Sequence, residues 1–183
     1  PDFVFHMAAQ ALVRPSYDNP VETIEINGIG TANVLDSLRF IEKPVTAILI
    51  TSDKAYDNLE WVWGYRETDR LGGKDPYSAS KGVAELVIRS FVESYFKGVG
   101  NNVRIGIVRA GNVIGGGDWA LDRIVPDCMN AWSEHKLVDI RSPFATRPWQ
   151  HVLEPLSGYL SLGAAMQSNY NLHGEAYNFG PPA

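Results

Sequence analysis

Tyr77 and Lys81 are the pair of residues whose types and spacing best suit catalysis of proton transfer. Asp75 is a good N-cap and Pro76 a good first residue for a helix that we predict over residues 76–96. A spacing of four residues places the tyrosine and the lysine on one face of this helix, one turn apart. Because an ammonium beside a phenol favours the phenolate, we expect a lowered pKa for Tyr77. Such a tyrosine can take a proton from a sugar or alcohol hydroxyl near neutral pH.

A second polar group, Ser52-Asp53-Lys54, follows an apolar run at residues 45–50. A continuous apolar run of this length predicts a strand that is covered on both faces. The strand end would then carry a hydroxyl, a carboxylic acid and an amine side by side. Such a group is also common in a solvated turn with an ion pair. The tyrosine–lysine pair downstream favours chemistry, so we predict that Ser52, Asp53 and Lys54 are catalytic.

Strands and helices alternate along the chain, which predicts an α/β fold with a Rossmann-like, doubly wound parallel sheet. The predicted strands cover residues 3–6, 45–50, 103–108 and 137–140, with a last one near Tyr177, and the predicted helices cover residues 21–40, 76–96, 124–134 and 153–167. We predict loops around Pro15 and Pro20, over residues 57–74 and over the glycine-rich residues 111–118. Ligands of such sheets bind at the carboxyl ends of the strands. Small residues after the first strand, Ala8 and Ala9, would let a flat cofactor approach the backbone.

The composition is that of an ordinary globular protein with one core. The 183 residues are 45% hydrophobic and 20% charged, and the formal net charge is −5. The negative charge argues against a nucleic-acid or acidic-membrane partner. The 183 residues contain no apolar stretch of membrane length, and we expect no signal peptide. The single cysteine, Cys128, cannot form an internal disulfide, so we expect a reducing, cytoplasmic compartment.

Two glycine motifs and the histidines do not predict a ligand site of their own. Gly28-Ile29-Gly30 follows a helical pattern instead of a strand, and Asn33 stands where a dinucleotide fingerprint needs its third glycine. The glycines at residues 115–117 are not a phosphate loop, because no Lys-Ser or Lys-Thr follows them. The histidines lack metal-ligand spacing, so we predict no metal site. Arg147, beside Pro148-Trp149, suits capture of a phosphate but is equally consistent with a surface arginine on a turn.

Taken together, seven motifs resemble the extended short-chain dehydrogenase/reductase family, over essentially the whole chain. The motifs are Phe5-His6-Met7-Ala8-Ala9-Gln10, Asn27-Gly28-Ile29-Gly30-Thr31, Thr51-Ser52-Asp53-Lys54, Trp61-Val62-Trp63-Gly64-Tyr65, Tyr77-Ser78-Ala79-Ser80-Lys81, Gly111-Asn112-Val113-Ile114-Gly115-Gly116-Gly117-Asp118-Trp119 and Arg147-Pro148-Trp149-Gln150-His151-Val152. Within this family the chain is similar to the nucleotide-sugar 4,6-dehydratases, and the fourth, sixth and seventh motifs are the most specific for those that act on CDP-glucose. The resemblance implies NAD as the cofactor, CDP-glucose or a related nucleotide sugar as the substrate, and a homo-oligomer.

The same resemblance assigns roles by position. Tyr77 resembles the base that deprotonates the sugar C4 hydroxyl, Lys81 the lysine that holds the nicotinamide ribose, and Ser52 a partner in the hydroxyl hydrogen bond. Asp53 resembles the acid that protonates the departing C6 hydroxyl. Many of these enzymes have a glutamate next as the C5 base, but here the residue is Lys54, which can act as a base only when neutral. The implied cofactor residues are Met7, Ala8, Ala9, Tyr77, Lys81 and Val113, and the implied substrate residues are Asn112, Arg123 and Arg147.

The two ends of the sequence suggest an internal piece of a longer protein. Pro1-Asp2 leads straight into a predicted strand, and the chain ends where another strand enters a turn. We expect residues 1–110 to form a partial NAD-binding Rossmann domain that carries the catalytic residues. We expect residues 111–183 to form a mixed region with substrate-binding segments and a returning helix and strand. The family's opening βαβ unit, with its glycine-rich turn, would then lie upstream of Pro1.

Two other functions stay open from the sequence. A nucleotide-sugar 4-epimerase of the same fold would share Tyr77 and Lys81 but needs no acid and base beside Ser52, so Asp53-Lys54 argues against it. A non-catalytic binding protein of this fold would not need the complete catalytic set. For the isolated 183-residue chain we expect inactivity, because no glycine-rich turn follows a strand to hold the diphosphate of NAD.

Overall fold

The computed structural model describes residues 1–98, 100–120 and 122–181. The strands are β1 (Phe3–His6), β2 (Val45–Ile50), β3 (Val103–Ala110), β4 (Val113–Ile114), β5 (Gln150–His151) and β6 (Ala176–Phe179). The helices are α1 (Val13–Asp18), α2 (Pro20–Ile24), α3 (Gly30–Leu38), α4 (Pro76–Phe91), α5 (Ile124–Ser133) and α6 (Leu153–Met166). Two π-helical segments, Glu25–Ile29 and Val92–Phe96, extend the helices that precede them, and 3-10 turns lie at Asp53–Ala55 and Tyr170–Leu172.

The main sheet consists of four parallel strands in the order β1-β2-β3-β6. A small parallel pair, β4 and β5, stands beside it. In the main sheet Val45 pairs with Val103 and Ile50 pairs with Val108, so β2 and β3 run in register. Because all four strands are parallel, their carboxyl ends meet at one edge, which is where the site lies.

Apolar side chains cover both faces of this sheet, which explains the unbroken apolar run of β2. On one face α3 and α4, with the π segment that follows α4, bury a cluster formed by Leu35, Leu38, Val45, Ala47, Leu49, Ile88, Val92, Phe96, Val103, Ile105 and Ile107. On the other face α6 buries a cluster formed by Ile48, Val108, Ala110, Tyr159, Leu162 and Met166. The first of these apolar clusters therefore fixes α4, the helix that carries the predicted tyrosine–lysine pair, to the sheet.

The predicted α/β fold with a parallel sheet is confirmed, and so are its main strands and helices. Two local predictions are wrong. Residues 137–140 form no strand, and Leu137 is 98% exposed, because no neighbouring strand offers a hydrogen-bonded partner there. Pro15 and Pro20 lie in α1 and α2 instead of in a loop, since a proline in the first turn of a helix sacrifices no helical hydrogen bond.

The second part of the chain returns to the main sheet through α6 and β6. The boundary between the two predicted parts, after residue 110, stays a prediction. The turn predicted at the end reaches Pro182, which lies outside the described residues. Among the helices in the described ranges, none is long and apolar enough to cross a membrane.

Candidate active site

The strand end after β2 brings Ser52, Asp53 and Lys54 together. Ser52 caps the 3-10 turn, because its Oγ accepts a hydrogen bond from the Lys54 backbone N–H over 3.2 Å. The same hydroxyl donates to Asp53 Oδ1 over 3.0 Å. Lys54 Nζ lies 3.1 Å from Asp53 Oδ1 and 3.4 Å from Oδ2. The carboxylate and the amine therefore form an ion pair, whose side chains are 31% and 34% exposed.

The start of α4 holds the second pair in place. Asp75 is the N-cap, and its carboxylate accepts from the Ser78 N–H over 2.9 Å and from the Ser78 hydroxyl over 2.6 Å. Tyr77 and Lys81 are both buried, and Lys81 Nζ lies 6.0 Å from the centre of the Tyr77 ring. The prediction that these two side chains share one helix face is confirmed.

The prediction that the pKa of Tyr77 is lowered is wrong for the protein without a bound ligand. Burial raises this pKa, because the phenolate loses its hydration, and the hydrogen bond with Ser52 opposes the rise only in part. The charge of Asp53 raises the pKa further and that of Arg123 lowers it. Burial also lowers the pKa of Lys81.

Because both Ser52 and Asp53 act on Tyr77, the strand end and the helix face each other across one site. We call the five residues that the sequence predicts to be catalytic, Ser52, Asp53, Lys54, Tyr77 and Lys81, the catalytic cluster. Its strand half is Ser52-Asp53-Lys54 and its helix half is Tyr77 and Lys81. A hydroxyl, an acid, an amine and a phenol thus converge at the carboxyl edge of the sheet, where proton transfer to and from one bound molecule is feasible.

The segment after β1 forms an open wall of this site. Met7 and Ala8 are exposed and Ala9 is half-buried. The following residue, Gln10, is tied to α4, because its N–H donates to Asn27 Oδ1 over 2.8 Å and Asn27 Nδ2 donates to Ser80 Oγ over 2.7 Å. The segment is therefore linked to the helix that carries Lys81, and its role in binding the cofactor stays a prediction.

Two of the predicted substrate residues contain buried polar atoms. In the described ranges, Asn112 Oδ1 and Arg123 Nε are buried and lack a hydrogen-bond partner. Arg123 Nε lies 3.5 Å from Asp118 Oδ2, an ion-pair distance without the geometry of a hydrogen bond. Buried polar atoms without a partner are costly, so both atoms suit the polar groups of a ligand. Val113, predicted to contact the cofactor, is 38% exposed.

Arg147 is placed differently. It is exposed, and its Nη1 donates to the Thr146 carbonyl oxygen over 2.8 Å. The segment that carries it does lie beside the site, since a Cβ on Gly111 would come within 2.3 Å of Pro148 Cγ and Gln150 N–H donates to Asn112 O over 3.0 Å. The structure therefore brings Arg147 to the rim and not into the buried part.

Two cavities lie away from the catalytic cluster. One of about 490 Å³ is lined by the carboxyl end of α3, by the π segment after α4 and by Asn101, Asn102 and Val103. The other, of about 380 Å³, lies between residues 68–73 and the outer face of α4. The cluster itself lies at the end of β2, where the side chains of Asp53 and Lys54 are 31% and 34% exposed. In the described part of the chain, no group of three or more His, Cys, Asp or Glu side chains could hold a metal ion.

Comparison with known proteins shows the family. The family model described as GDP-mannose 4,6 dehydratase matches residues 1–172. The chain belongs to this family. The CDP-glucose 4,6-dehydratase of Salmonella typhimurium is 50% identical over 99% of the chain and 51% of its own length. The UDP-glucose 4-epimerase of Mycoplasma pneumoniae is 24% identical over 98% of the chain and 56% of its own length.

Solved structures agree on the fold of the GDP-mannose 4,6-dehydratase family. The dTDP-glucose 4,6-dehydratase of Streptomyces venezuelae, as a double mutant with NAD bound, superposes with a TM-score of 0.82 at 21% identity. The match covers 100% of this chain and 52% of that structure. The chain thus spans about half the length of the curated relatives it matches.

The structure also contains a buried ion pair, Glu85 with Arg109, that was not predicted from the sequence. A charge within the apolar run of β3, and an acid one turn after Lys81 on a largely apolar helix, were the signals that could have found it. Gly28-Ile29-Gly30 lies in a helical segment, as predicted, and does not follow a strand as a dinucleotide fingerprint would. Gly28 lies in a π-helical segment, and a Cβ there would come within 2.8 Å of Val83 Cγ1 on α4, so this glycine permits close helix packing.

Proposed function

We propose that the protein is an NAD-dependent nucleotide-sugar 4,6-dehydratase that converts CDP-glucose to CDP-4-keto-6-deoxyglucose. The observation that carries this proposal is the Asp53–Lys54 pair, held beside Ser52 and facing Tyr77. A 4-epimerase needs the phenol and a nearby hydroxyl, whereas loss of water across C5 and C6 also needs an acid and a base. The half-identical Salmonella relative, which carries the name of this activity, supports the same choice.

NAD, when bound, supplies the acceptor that takes the hydride from C4 and later returns it to C6. Tyr77 takes the proton of the C4 hydroxyl, and Ser52 holds that hydroxyl through its Oγ. The C4 ketone then acidifies the C5 hydrogen, so a modest base suffices. Asp53 gives its proton to the C6 hydroxyl, which leaves as water while Lys54 accepts the proton of C5.

The ion pair explains how one pair of residues serves as both acid and base. As ions, Asp53 has no proton to give and Lys54 cannot accept one. Moving a single proton over the 3.1 Å from Lys54 Nζ to Asp53 Oδ1 produces a neutral amine and a protonated acid. Those are the two forms that elimination requires, and no proton need come from solvent.

Binding is divided between the two parts of the chain. Residues 1–110 supply Met7, Ala8, Ala9, Tyr77 and Lys81 to the nicotinamide half of the cofactor, and Val113 joins them from residues 111–183. That second part supplies Asn112, Arg123 and Arg147 to the sugar and diphosphate. We also assign the reaction to the cytoplasm, because a single cysteine in these 183 residues is typical of a protein from a reducing compartment.

Product analysis tests this function directly. The full-length protein is incubated with CDP-glucose, UDP-glucose or dTDP-glucose, and the products are identified by NMR. We expect a 4-keto-6-deoxy sugar, formed fastest from CDP-glucose and without net consumption of NAD. Formation of the 4-epimer alone would overturn the dehydratase assignment, and equal rates with all three nucleotides would overturn the choice of CDP-glucose.

We also propose a homo-oligomer that buries the outer faces of α2 and α4. Val21 and Leu86 are 68% and 58% exposed on these helices, and α2 packs against α4 so that the two faces adjoin. Core-like apolar surface of this kind is typical of obligate interfaces. Sedimentation of the full-length protein is expected to show a dimer or a higher oligomer at micromolar concentration, and a monomer alone would contradict the proposal.

A further inference from the structure

The buried pair Glu85–Arg109 lies next to the catalytic cluster. Arg109 Nε donates to Glu85 Oε1 over 2.7 Å, and Arg109 Nη2 donates to Glu85 Oε2 over 2.9 Å, so the contact is bidentate. The glutamate and arginine side chains are only 2% and 5% exposed. Because Glu85 lies on α4 and Arg109 lies on β3, the pair ties the catalytic helix to the sheet.

Glu85 also contacts the strand half of the cluster. Thr51 Oγ1 donates to Glu85 Oε1 over 2.5 Å and lies 3.2 Å from the Val108 carbonyl oxygen. Thr51 immediately precedes Ser52, and Glu85 follows Lys81 by one helical turn. One carboxylate therefore joins the end of β2, which carries the strand half, to the face of α4 that carries the helix half.

Arg109 extends the same network into the loop at residues 57–74. Its Nη1 donates to the Tyr56 hydroxyl over 2.7 Å and to the Glu67 carbonyl oxygen over 3.0 Å. The Tyr56 hydroxyl in turn donates to Asn178 Oδ1 over 2.8 Å, on β6. Burial alone would lower the pKa of Arg109, but the hydrogen bonds and charge of Glu85 raise it. The arginine stays charged and keeps its donors satisfied.

Stability does not account for such a pair. Removing two charges from water is costly, and replacing a buried ion pair by apolar residues of similar volume is often neutral or stabilising. Glu85 instead accepts a hydrogen bond from Thr51, which directly precedes the strand half, and it lies one helical turn after Lys81 of the helix half. Arg109 bonds to the Glu67 carbonyl oxygen in the loop. The position of the pair therefore indicates a role in holding the catalytic residues of α4 and of the segment after β2 at a fixed distance from each other.

We propose that Glu85 is a positioning residue which, held by Arg109 and bonded to Thr51, keeps the strand half and the helix half of the catalytic cluster in register. Its side chain is only 2% exposed, so we assign it no direct contact with the substrate. It acts through Lys81, one turn away, and through the strand end after Thr51. The inference rests on the proposed function for its effect on rate, but its effect on Lys81 is independent of any substrate.

The charge of Glu85 gives the proposal a second readout. Burial lowers the pKa of Lys81, and the carboxylate of Glu85 opposes that shift. The other titratable groups that face this lysine are Tyr77 on the same helix and His6 on β1. In Glu85→Gln the carboxylate is lost and the charge of Arg109 is left uncompensated. Both changes disfavour the ammonium, so Lys81 is expected to lose its proton at a lower pH.

The first experiment follows Lys81 itself. The full-length protein is labelled with ¹³Cε-lysine, and the Lys81 resonance is assigned by its loss in Lys81→Arg and titrated by NMR. In Glu85→Gln the midpoint of this titration is expected to move to lower pH. Glu93→Gln removes a carboxylate from an exposed pair with Lys97 on the segment that continues the same helix, and it is expected to leave the midpoint unchanged.

The second experiment separates geometry from charge. Thr51→Val removes the hydroxyl that bonds to Glu85 and leaves the shape and the ion pair intact. The Lys81 titration is expected to stay as in the unmodified protein. The single-turnover rate of NADH formation with CDP-glucose is expected to fall by about 10- to 100-fold, because the strand half is no longer anchored. Affinity for the nucleotide sugar is expected to be unchanged.

An unchanged Lys81 midpoint in Glu85→Gln, or an unchanged rate in Thr51→Val, would overturn the proposal. Should Glu85→Gln fail to fold, Glu85→Leu/Arg109→Met replaces the pair with apolar residues of similar volume. That double variant is expected to unfold at a similar urea concentration but to form NADH at least tenfold more slowly, and a full rate would count against the role of the pair. Failure of the proposed function is distinguishable, because the unmodified protein would then form no dehydratase product while the Lys81 titration still reports on Glu85.

Discussion

Tyr77→Phe is expected to lower the rate of the first step, NADH formation with CDP-glucose, by about 10²–10⁴-fold, the range that a positioned general base contributes. The ring still fills its buried position, so the fold is kept, but no group remains to take the proton of the C4 hydroxyl. Rapid mixing of the full-length protein with CDP-glucose, followed by the absorbance of bound NADH, measures the effect.

Tyr95→Phe is the matched control. It removes the same hydroxyl from a tyrosine that is 48% exposed at the end of the same helical segment, and the rate is expected to stay unchanged.

The pH dependence of NADH formation supplies a further check. A base must lose its proton before it acts, and burial raises the pKa of Tyr77. The rate of this step in the unmodified protein is therefore expected to rise with pH and to fall again where Lys81 loses its proton. A Tyr77→Phe variant with near-normal NADH formation would remove the tyrosine from the mechanism.

Asp53→Asn is expected to leave C4 oxidation possible while product formation drops by about 10²–10⁴-fold, since an amide cannot donate a proton as an acid does. Bound NADH is then expected to accumulate with CDP-glucose, because the elimination that precedes the return of the hydride is blocked. The absorbance of NADH and the amount of keto-deoxy product, measured in the same sample, separate this outcome from a general loss of activity.

Exchange of the C5 hydrogen tests Lys54 in the same system. In deuterated water, the unmodified protein is expected to place deuterium at C5, and Lys54→Gln is expected to stop this incorporation. Asp53→Asn is expected to slow it strongly as well, because the amine then has no carboxylate to which it can pass its proton. Asp57→Asn, which alters a carboxylate that pairs with Arg70 and not with Lys54, is expected to turn over normally. Turnover of Asp53→Asn at the rate of the unmodified protein would show that another group donates the proton.

Local chemistry made much of this site predictable. Asp75 and Pro76 predict the start of α4, and the four-residue spacing of Tyr77 and Lys81 fixes their common face, because a helix repeats every 3.6 residues. The apolar run of β2 predicts a strand covered on both faces. Parallel strands then bring the residues that follow β2 to the same edge as the residues that follow β1 and β3.

The irregular segments were less predictable. The isolated apolar run at residues 137–140 has strand-like composition, but a strand needs a partner, and partners are set by the whole fold. Pro15 and Pro20 suggest a loop by residue type, yet both lie in first turns of short helices, where proline is tolerated. Residue type alone could not distinguish the two positions.

The sequence by itself determined the types and the spacing of the residues in the catalytic cluster, because helical periodicity and the length of an apolar run act over short stretches of chain. The tertiary structure alone decided the electrostatics. Burial reversed the expected direction of the Tyr77 pKa. The fold also brought Glu85 into contact with Arg109 and Thr51, which lie 24 and 34 residues away from it in the sequence. The reason is that desolvation and ion pairing depend on what surrounds a group in space, which the spacing of residues along one element does not specify.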